Sequence, residues 1–239
     1  MDNTLVTGIK SKERVQQHGE VFTPDSIVND MLDMVDKELD KNDIWKYIDY
    51  TYLEPSCGNG NFLIRILDRK FEFVQKLPKE QWNLGLVHSL CSVYGVDIQK
   101  DNIDESKQRI LQLIKTGDIP LLDLPNREKK PFSFNKFTIT PELEKTINFI
   151  LDLNIQQGDC LTGERWDGIR TTNTNLEITE YTWDGEQVSR REISLNNIKS
   201  GIDAADNSYD SVNFKELGNT VLVKEYDAEA EDDEAWDML

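Results

Sequence analysis

No run of 18 apolar residues occurs in the 239-residue chain, which excludes a bilayer-spanning helix and a membrane partner. Met1 to Lys12 is polar and lacks the apolar stretch of a secretory signal, so export is not expected. Cysteine is scarce: Cys57, Cys91 and Cys160 are scattered and form no CxxC pair. Three separated thiols suit a reducing compartment better than a disulfide framework, so a cytoplasmic location is expected. The two histidines, His18 and His88, lie far apart, which argues against a histidine-rich metal site. Basic residues are also in deficit, 27 Lys and Arg against 45 Asp and Glu, for a net charge of -18. The deficit is uneven: residues 1–141 hold 19 basic and 22 acidic side chains, residues 142–239 hold 8 and 23. An acidic surface repels phosphates, so any contact with DNA belongs to the first part or depends on a partner subunit.

The length suits one medium α/β domain with an appendage, and 38% hydrophobic residues suffice for a core. Residues 1–20 are polar and read as a flexible N-terminal segment. Val21-Phe22-Thr23-Pro24 then reads as a helix start, with Thr23 as N-cap and Pro24 in the first turn. Ile27, Val28, Met31, Leu32, Val35 and Leu39 follow at helical spacing. Ile48 to Leu53 reads as a strand, Phe62 to Val74 and Gln81 to Cys91 as helices, and Ser92 to Val96 as a strand ending at Asp97. Lys100 to Lys115 and Glu142 to Leu153 read as helices flanking a proline-rich stretch, and Ile155 to Gln157 as a strand ending at Gly158-Asp159. This strand–helix alternation predicts a parallel, doubly wound sheet. Leu176 to Trp183 and Gln187 to Ile193 flank Asp184-Gly185 and predict a β-hairpin. Thr220 to Val223 can form one last strand, and residues 226–239 read as a disordered acidic tail. The organisation expected is therefore a flexible segment at 1–20, a ligand-binding domain at 21–165, a hairpin-containing extension at 166–225 and the tail at 226–239.

The chemistry concentrates at strand ends. Glu54-Pro55-Ser56-Cys57-Gly58-Asn59-Gly60 stands where a strand turns into a helix, and its glycines let the backbone approach a ligand beside the helix N-terminus. A third glycine of the dinucleotide fingerprint is missing at Leu63, and no Gly-Lys-Ser/Thr phosphate loop occurs. Asp97 ends the next strand, where a carboxylate can accept both hydroxyls of a ribose, and Asp159 ends the third, where it can accept from an exocyclic amine or simply cap a turn. Together these describe a nucleoside site that does not demand a phosphate. Cys57, Phe62 and Cys160 read as structural, and His88 as a helix-surface or core residue. Arg127, Lys129 and Lys130 near Phe132, Phe134 and Phe137 read as a solvated loop pinned by aromatics before they read as a single-strand contact.

The glycine turn resembles the first S-adenosylmethionine motif of adenine-specific (N6) DNA methyltransferases of the gamma arrangement, which include modification subunits of restriction–modification systems. Gly19-Glu20-Val21-Phe22-Thr23-Pro24 resembles the motif that precedes it there. Tyr94-Gly95-Val96-Asp97-Ile98 resembles the second motif and Gln157-Gly158-Asp159-Cys160-Leu161 the third. The resemblance covers roughly residues 15–165. It implies a Rossmann-like methyltransferase fold, with Thr23, Glu54, Pro55, Ser56, Gly58, Gly60, Asp97, Ile98 and Asp159 around S-adenosyl-L-methionine and no metal. Thr23, Glu54 and Gly58 would flank the methionine moiety, Asp97 would take the ribose, and Asp159 the adenine amine.

The chain departs from that family in one respect. The family holds its target amine with an Asn-Pro-Pro-Tyr element after the third motif, and this sequence has no proline after Pro141. Tyr209-Asp210-Ser211-Val212-Asn213-Phe214 stands where that strand would come. The sequence thus resembles an incomplete methyltransferase: the cofactor-binding part, with no assignable catalytic residue and no target-recognition domain. A partner methyltransferase or restriction subunit would supply the rest, and DNA would be bound through it. The rival reading is a non-catalytic decoy, or an acidic DNA mimic that occupies a restriction–modification partner.

Overall fold

The computed structural model describes residues 10–117 and 137–219. The elements, in chain order, are α1 (Lys12–His18), α2 (Asp25–Val35), α3 (Ile44–Asp49), β1 (Tyr52–Glu54), α4 (Asn61–Val74), α5 (Trp82–Cys91), β2 (Val93–Asp97), α6 (Lys100–Thr116), α7 (Pro141–Asn154) and β3 (Ile155–Asp159). There follow β4 (Glu164–Trp166), β5 (Thr171–Asn175), β6 (Glu177–Asp184), β7 (Gln187–Ser194), α8 (Leu195–Lys199), β8 (Asn207–Asn213) and a 3₁₀ turn over Phe214–Asn219. β1, β2 and β3 pair in parallel, and β4 and β5 extend the sheet antiparallel beyond β3. β6, β7 and β8 make a second, antiparallel sheet. The architecture is mixed α/β and Rossmann-like. Among the described residues no helix is long and apolar enough to cross a membrane.

The central strand shows why. All five residues of β2 are buried, as expected of a parallel strand covered by helices on both faces. α4 supplies Leu63, Ile64, Ile66, Leu67, Phe71 and Val74 to one core, joined by Leu86 and Leu90 of α5, Ile110 and Leu113 of α6, and Leu143 and Ile147 of α7. Phe137 belongs to the same core, edge-on to Phe71. His88 is also interior: it stacks on Trp183 of β6 at 3.6 Å, and its Nδ1 lies 2.7 Å from Asp49. Arg127, Lys129, Lys130, Phe132, Phe134, Thr220 to Val223 and the acidic tail lie outside the described residues.

Several local expectations are corrected. Ile48 and Asp49 are helical, because Asp43 caps α3 by accepting from the Lys46 N–H, and Tyr47 and Ile48 turn inward. The strand is only Tyr52–Glu54. Thr23 does not cap α2; Pro24, at ψ 144, occupies that position without a side-chain bond. Within the segment read as flexible, Lys12–His18 form a helix capped by Ser11 and ended by Gly19 at φ 64. Arg14 reaches Asp101 on α6 from that helix, and Lys10 reaches Asp101 and Glu105. The hairpin turns on Gly185-Glu186, since Asp184 still pairs with Gln187. Tyr209 to Asn213 form β8 against β7, in the second sheet and not beside β1.

Candidate functional site

An open cleft lies at the carboxyl ends of β1 and β2. Its lining comes from Gly19 to Thr23 in the N-terminal wall, from Glu54, Ser56 to Asn59, Asn61 and Phe62 in the glycine turn and the start of α4, and from Asp97 to Gln99 and Asn102 at the end of β2 and the start of α6. The turn is stitched to β2 by its backbone, with the Cys57 N–H donating to the Val96 carbonyl and the Gly60 N–H to Cys57. Gly58 and Gly60 adopt φ values of 52 and 87. A Cβ on Gly58 would stand 3.0 Å from the Phe22 ring, and one on Gly60 would stand 2.8 Å from Ser106 Oγ. The glycines therefore serve both backbone conformation and close packing. Gly60→Ala is expected to destabilise the fold by about 1–3 kcal/mol, measured by thermal denaturation; an unchanged melting temperature would show that the turn relaxes freely.

Asp97 is the hub. Its Oδ2 accepts the Gly58 N–H at 2.9 Å, and its Oδ1 accepts the Gln99 N–H at 2.8 Å and Asn102 Nδ2 at 3.3 Å. The carboxylate is 8% exposed, so these donors offset the cost of burying its charge. Glu54 is less well served: it accepts only a long 3.4 Å bond from the Ser56 N–H. Burial pushes its carboxyl up from the ordinary value, and that N–H pulls weakly the other way. Burial also raises the Cys57 thiol, with Asp97 adding to the effect, so Cys57 is a neutral packing residue. Glu20 is paired with Arg14 and Asn102. The lining thus holds three carboxylates, from Glu20, Glu54 and Asp97, and no lysine or arginine among the described residues.

No protein-family model matches the chain. Over 131 residues, 55% of its length, it is 27% identical to "Type II methyltransferase M.VspI" of Vibrio sp. (strain 343). The chain is a distant relative of a methyltransferase. It matches 23% of that protein's length, about a quarter.

Of the residues read from sequence in this methyltransferase-like chain, Thr23, Glu54, Ser56, Gly58, Asp97 and Ile98 meet at the cleft. Gly60 sits behind it as the φ-positive start of α4, and Pro55 is exposed at the turn outside the lining. Asp159 does not reach the lining. Its Oδ1 accepts the Leu161 N–H at 2.8 Å, so it closes the turn after β3. Gln157 makes the link instead, donating from Nε2 to the Ile98 carbonyl at 3.0 Å.

Sequence reasoning missed the scaffold under the turn. Ser106 Oγ donates to the Gly58 carbonyl at 2.9 Å. Arg109 Nη1 donates to the Asn59 carbonyl and to Asn61 Oδ1 at 2.6 and 2.9 Å. With Asn102 these are polar residues at i, i+4 and i+7 on α6, all buried. Polar side chains on the inward stripe of an amphipathic helix were the available signal. Asn61 Nδ2 in turn donates to the Thr23 carbonyl and fixes the N-terminal wall.

Proposed function

We propose that the cleft binds S-adenosyl-L-methionine and that the chain is the cofactor-binding part of an adenine-N6 DNA methyltransferase of the restriction–modification type. The charge of the lining carries this reading. Glu20 is neutralised by Arg14, but Glu54 and Asp97 have no lysine or arginine beside them in the lining, which disfavours phosphate-bearing nucleotides and favours a nucleoside that bears positive charge. Glu54, desolvated and nearly unpartnered, is suited to an ammonium or sulfonium. Asp97 keeps one acceptor site, on Oδ2, for a ribose hydroxyl, and Phe22, Phe62 and Ile98 offer apolar surface. Asn59 Oδ1, buried and without a partner among the described residues, is an acceptor the ligand can satisfy. When bound, the group supplies an electrophilic methyl on its sulfonium; the chain's residues orient and enclose it.

The reading also explains what the chain lacks. Methyl transfer needs a target amine held at near-attack distance and an extruded base seated in a pocket. The segment that stands where such an element would come is β8, in the other sheet. The pure chain is therefore expected to incorporate no labelled methyl into mixed-sequence DNA. Calorimetric titration tests the binding: S-adenosylmethionine should bind with a dissociation constant between micromolar and millimolar, and ATP should not compete. No heat at millimolar S-adenosylmethionine, or equal binding of ATP, would overturn the assignment. Methyl incorporation by the pure chain would overturn its incompleteness.

A further inference from the structure

The far end of the N-terminal wall is anchored by packing. Phe22, 9% exposed, lies against Gly58 of the turn, and the Thr23 carbonyl accepts from Asn61 Nδ2. Before the exposed Val21 the ties change character. Of the side chains described in α1, none is buried. A helix of seven residues does not hold itself in water. Among the described residues, every hydrogen bond and ion pair that joins Lys10 to Glu20 onto the rest of the chain has a charged partner. Gly19, at φ 64 with open space around it, ends α1 and offers a pivot.

The charged ties meet the first turns of α6. Arg14 grips Asp101 with both Nη atoms, and its Nε pairs with Glu20. Lys10 Nζ lies 3.0 Å from Asp101, 2.8 Å from Glu105 and 2.7 Å from Asn102 Oδ1. Asn102 carries the contact inward, since its Nδ2 donates to Glu20 and to Asp97 Oδ1, each at 3.3 Å. Glu105 does so too, accepting Asn59 Nδ2 of the turn at 3.2 Å. One network thus joins α1, the wall and the turn. Its outer member is open to solvent: the Asp101 side chain is 53% exposed. Exposed pairs contribute little each and are screened by salt. The Arg14 guanidinium beside it holds the Asp101 carboxyl down to about 2, so the network is fully charged at neutral pH, and salt is what loosens it.

We propose that the segment from Lys10 to Gly19 is an ionic latch: docked on Asp101 it holds the N-terminal wall against bound S-adenosylmethionine, and undocked it lets the wall give way. The proposal rests on the reading of the cleft as the S-adenosylmethionine site and adds control of that site by ionic strength. Arg14 and Asp101 are positioning residues, since neither lines the cleft. The coupling is linkage. Docking fixes Glu20 and Asn102, which do line it. A ligand that touches them favours the docked state, and the docked state binds it more tightly by the same factor.

Asp101→Asn tests the latch, because it cuts the outer tie and leaves every residue of the lining and the Arg14–Glu20 pair in place. At low salt the variant should bind S-adenosylmethionine about fivefold more weakly than the wild type in calorimetry. The gap should close at high salt, where the wild-type latch is screened as well. Hydrogen exchange adds a reading that needs no ligand. The Val15 and Gly19 amides, which donate to the Ser11 and Val15 carbonyls, should exchange faster in Asp101→Asn, and faster in the wild type as salt rises. S-adenosylmethionine should slow them. Equal affinity of variant and wild type at low salt overturns the latch, as does a gap that salt does not narrow, or exchange indifferent to salt, variant and ligand. If the wild type binds no S-adenosylmethionine, the cofactor reading fails, and with it the coupling to that ligand; exchange that still follows salt and Asp101→Asn then upholds the latch as a device of the wall alone, and exchange that ignores both overturns it too.

Discussion

Lys70→Met is expected to cost about 2–4 kcal/mol of stability at pH 9 and progressively less toward pH 7. Lys70 is 1% exposed, and its Nζ donates to the carbonyls of Ile48 and Tyr50 and to Ser92 Oγ at 2.6, 2.6 and 2.7 Å. Ile48 and Tyr50 sit at the end of α3, whose last carbonyls have no intrahelical donor. Methionine fills the space but removes the Tyr50 carbonyl's donor and leaves the Ile48 carbonyl with Ser92 Oγ alone. Burial pulls the ammonium down to about 7, and Asp49 opposes this only partly. The folded value is therefore below the unfolded one, so between about 7 and 10.5 the unfolded chain holds the extra proton, and stability rises with pH. The stability difference between wild type and variant should thus grow with pH, by at most about 1.4 kcal/mol per unit. Urea denaturation at pH 7, 8 and 9 measures it. A difference that does not move with pH would show that three acceptors at a helix end keep Lys70 fully charged.

Asp97→Ala is expected to weaken S-adenosylmethionine binding by about 1–3 kcal/mol, roughly 5- to 150-fold. Two effects add. The ligand loses a charged acceptor, and the Gly58 N–H loses the partner that fixes the turn. Asn102, which donates to both Asp97 and Glu20, is released at the same time, so the N-terminal wall loosens with the turn. Asp97→Asn should recover little. Its amide can satisfy one N–H by its oxygen but presents a donor to another. Calorimetry on variants that retain their circular dichroism reads the effect. Wild-type affinity in a folded Asp97→Ala would remove this residue from the ligand contacts.

The glycine turn, the acids at the strand ends and the order of strands and helices could be read from the sequence, because each rests on local chemistry. Glycine takes φ values of 52 and 87 where other residues are strained, and the buried run Val93 to Val96 is apolar up to Asp97, whose charge is met by neighbouring donors. The sequence did less well where one pattern serves two structures. Ile48 to Leu53 is β-branched and aromatic, yet Asp43 draws its first residues into α3, and a cap outweighs a weak strand preference. Only the tertiary structure could decide the roles of Asp97 and Asp159. Both end strands in the sequence, but Asp97 faces the Gly58 N–H across a parallel pair, while Asp159 turns back to the Leu161 N–H because β3 is followed at once by an antiparallel return. Ser106 and Arg109 also depended on it, since α6 brings them under Gly58 and Asn59 from nearly 50 residues away. The same holds for the place of β1 at the edge of the sheet among the described residues. Whether a strand has one neighbour or two is set by long-range hydrogen bonds, which a local pattern of residues does not encode.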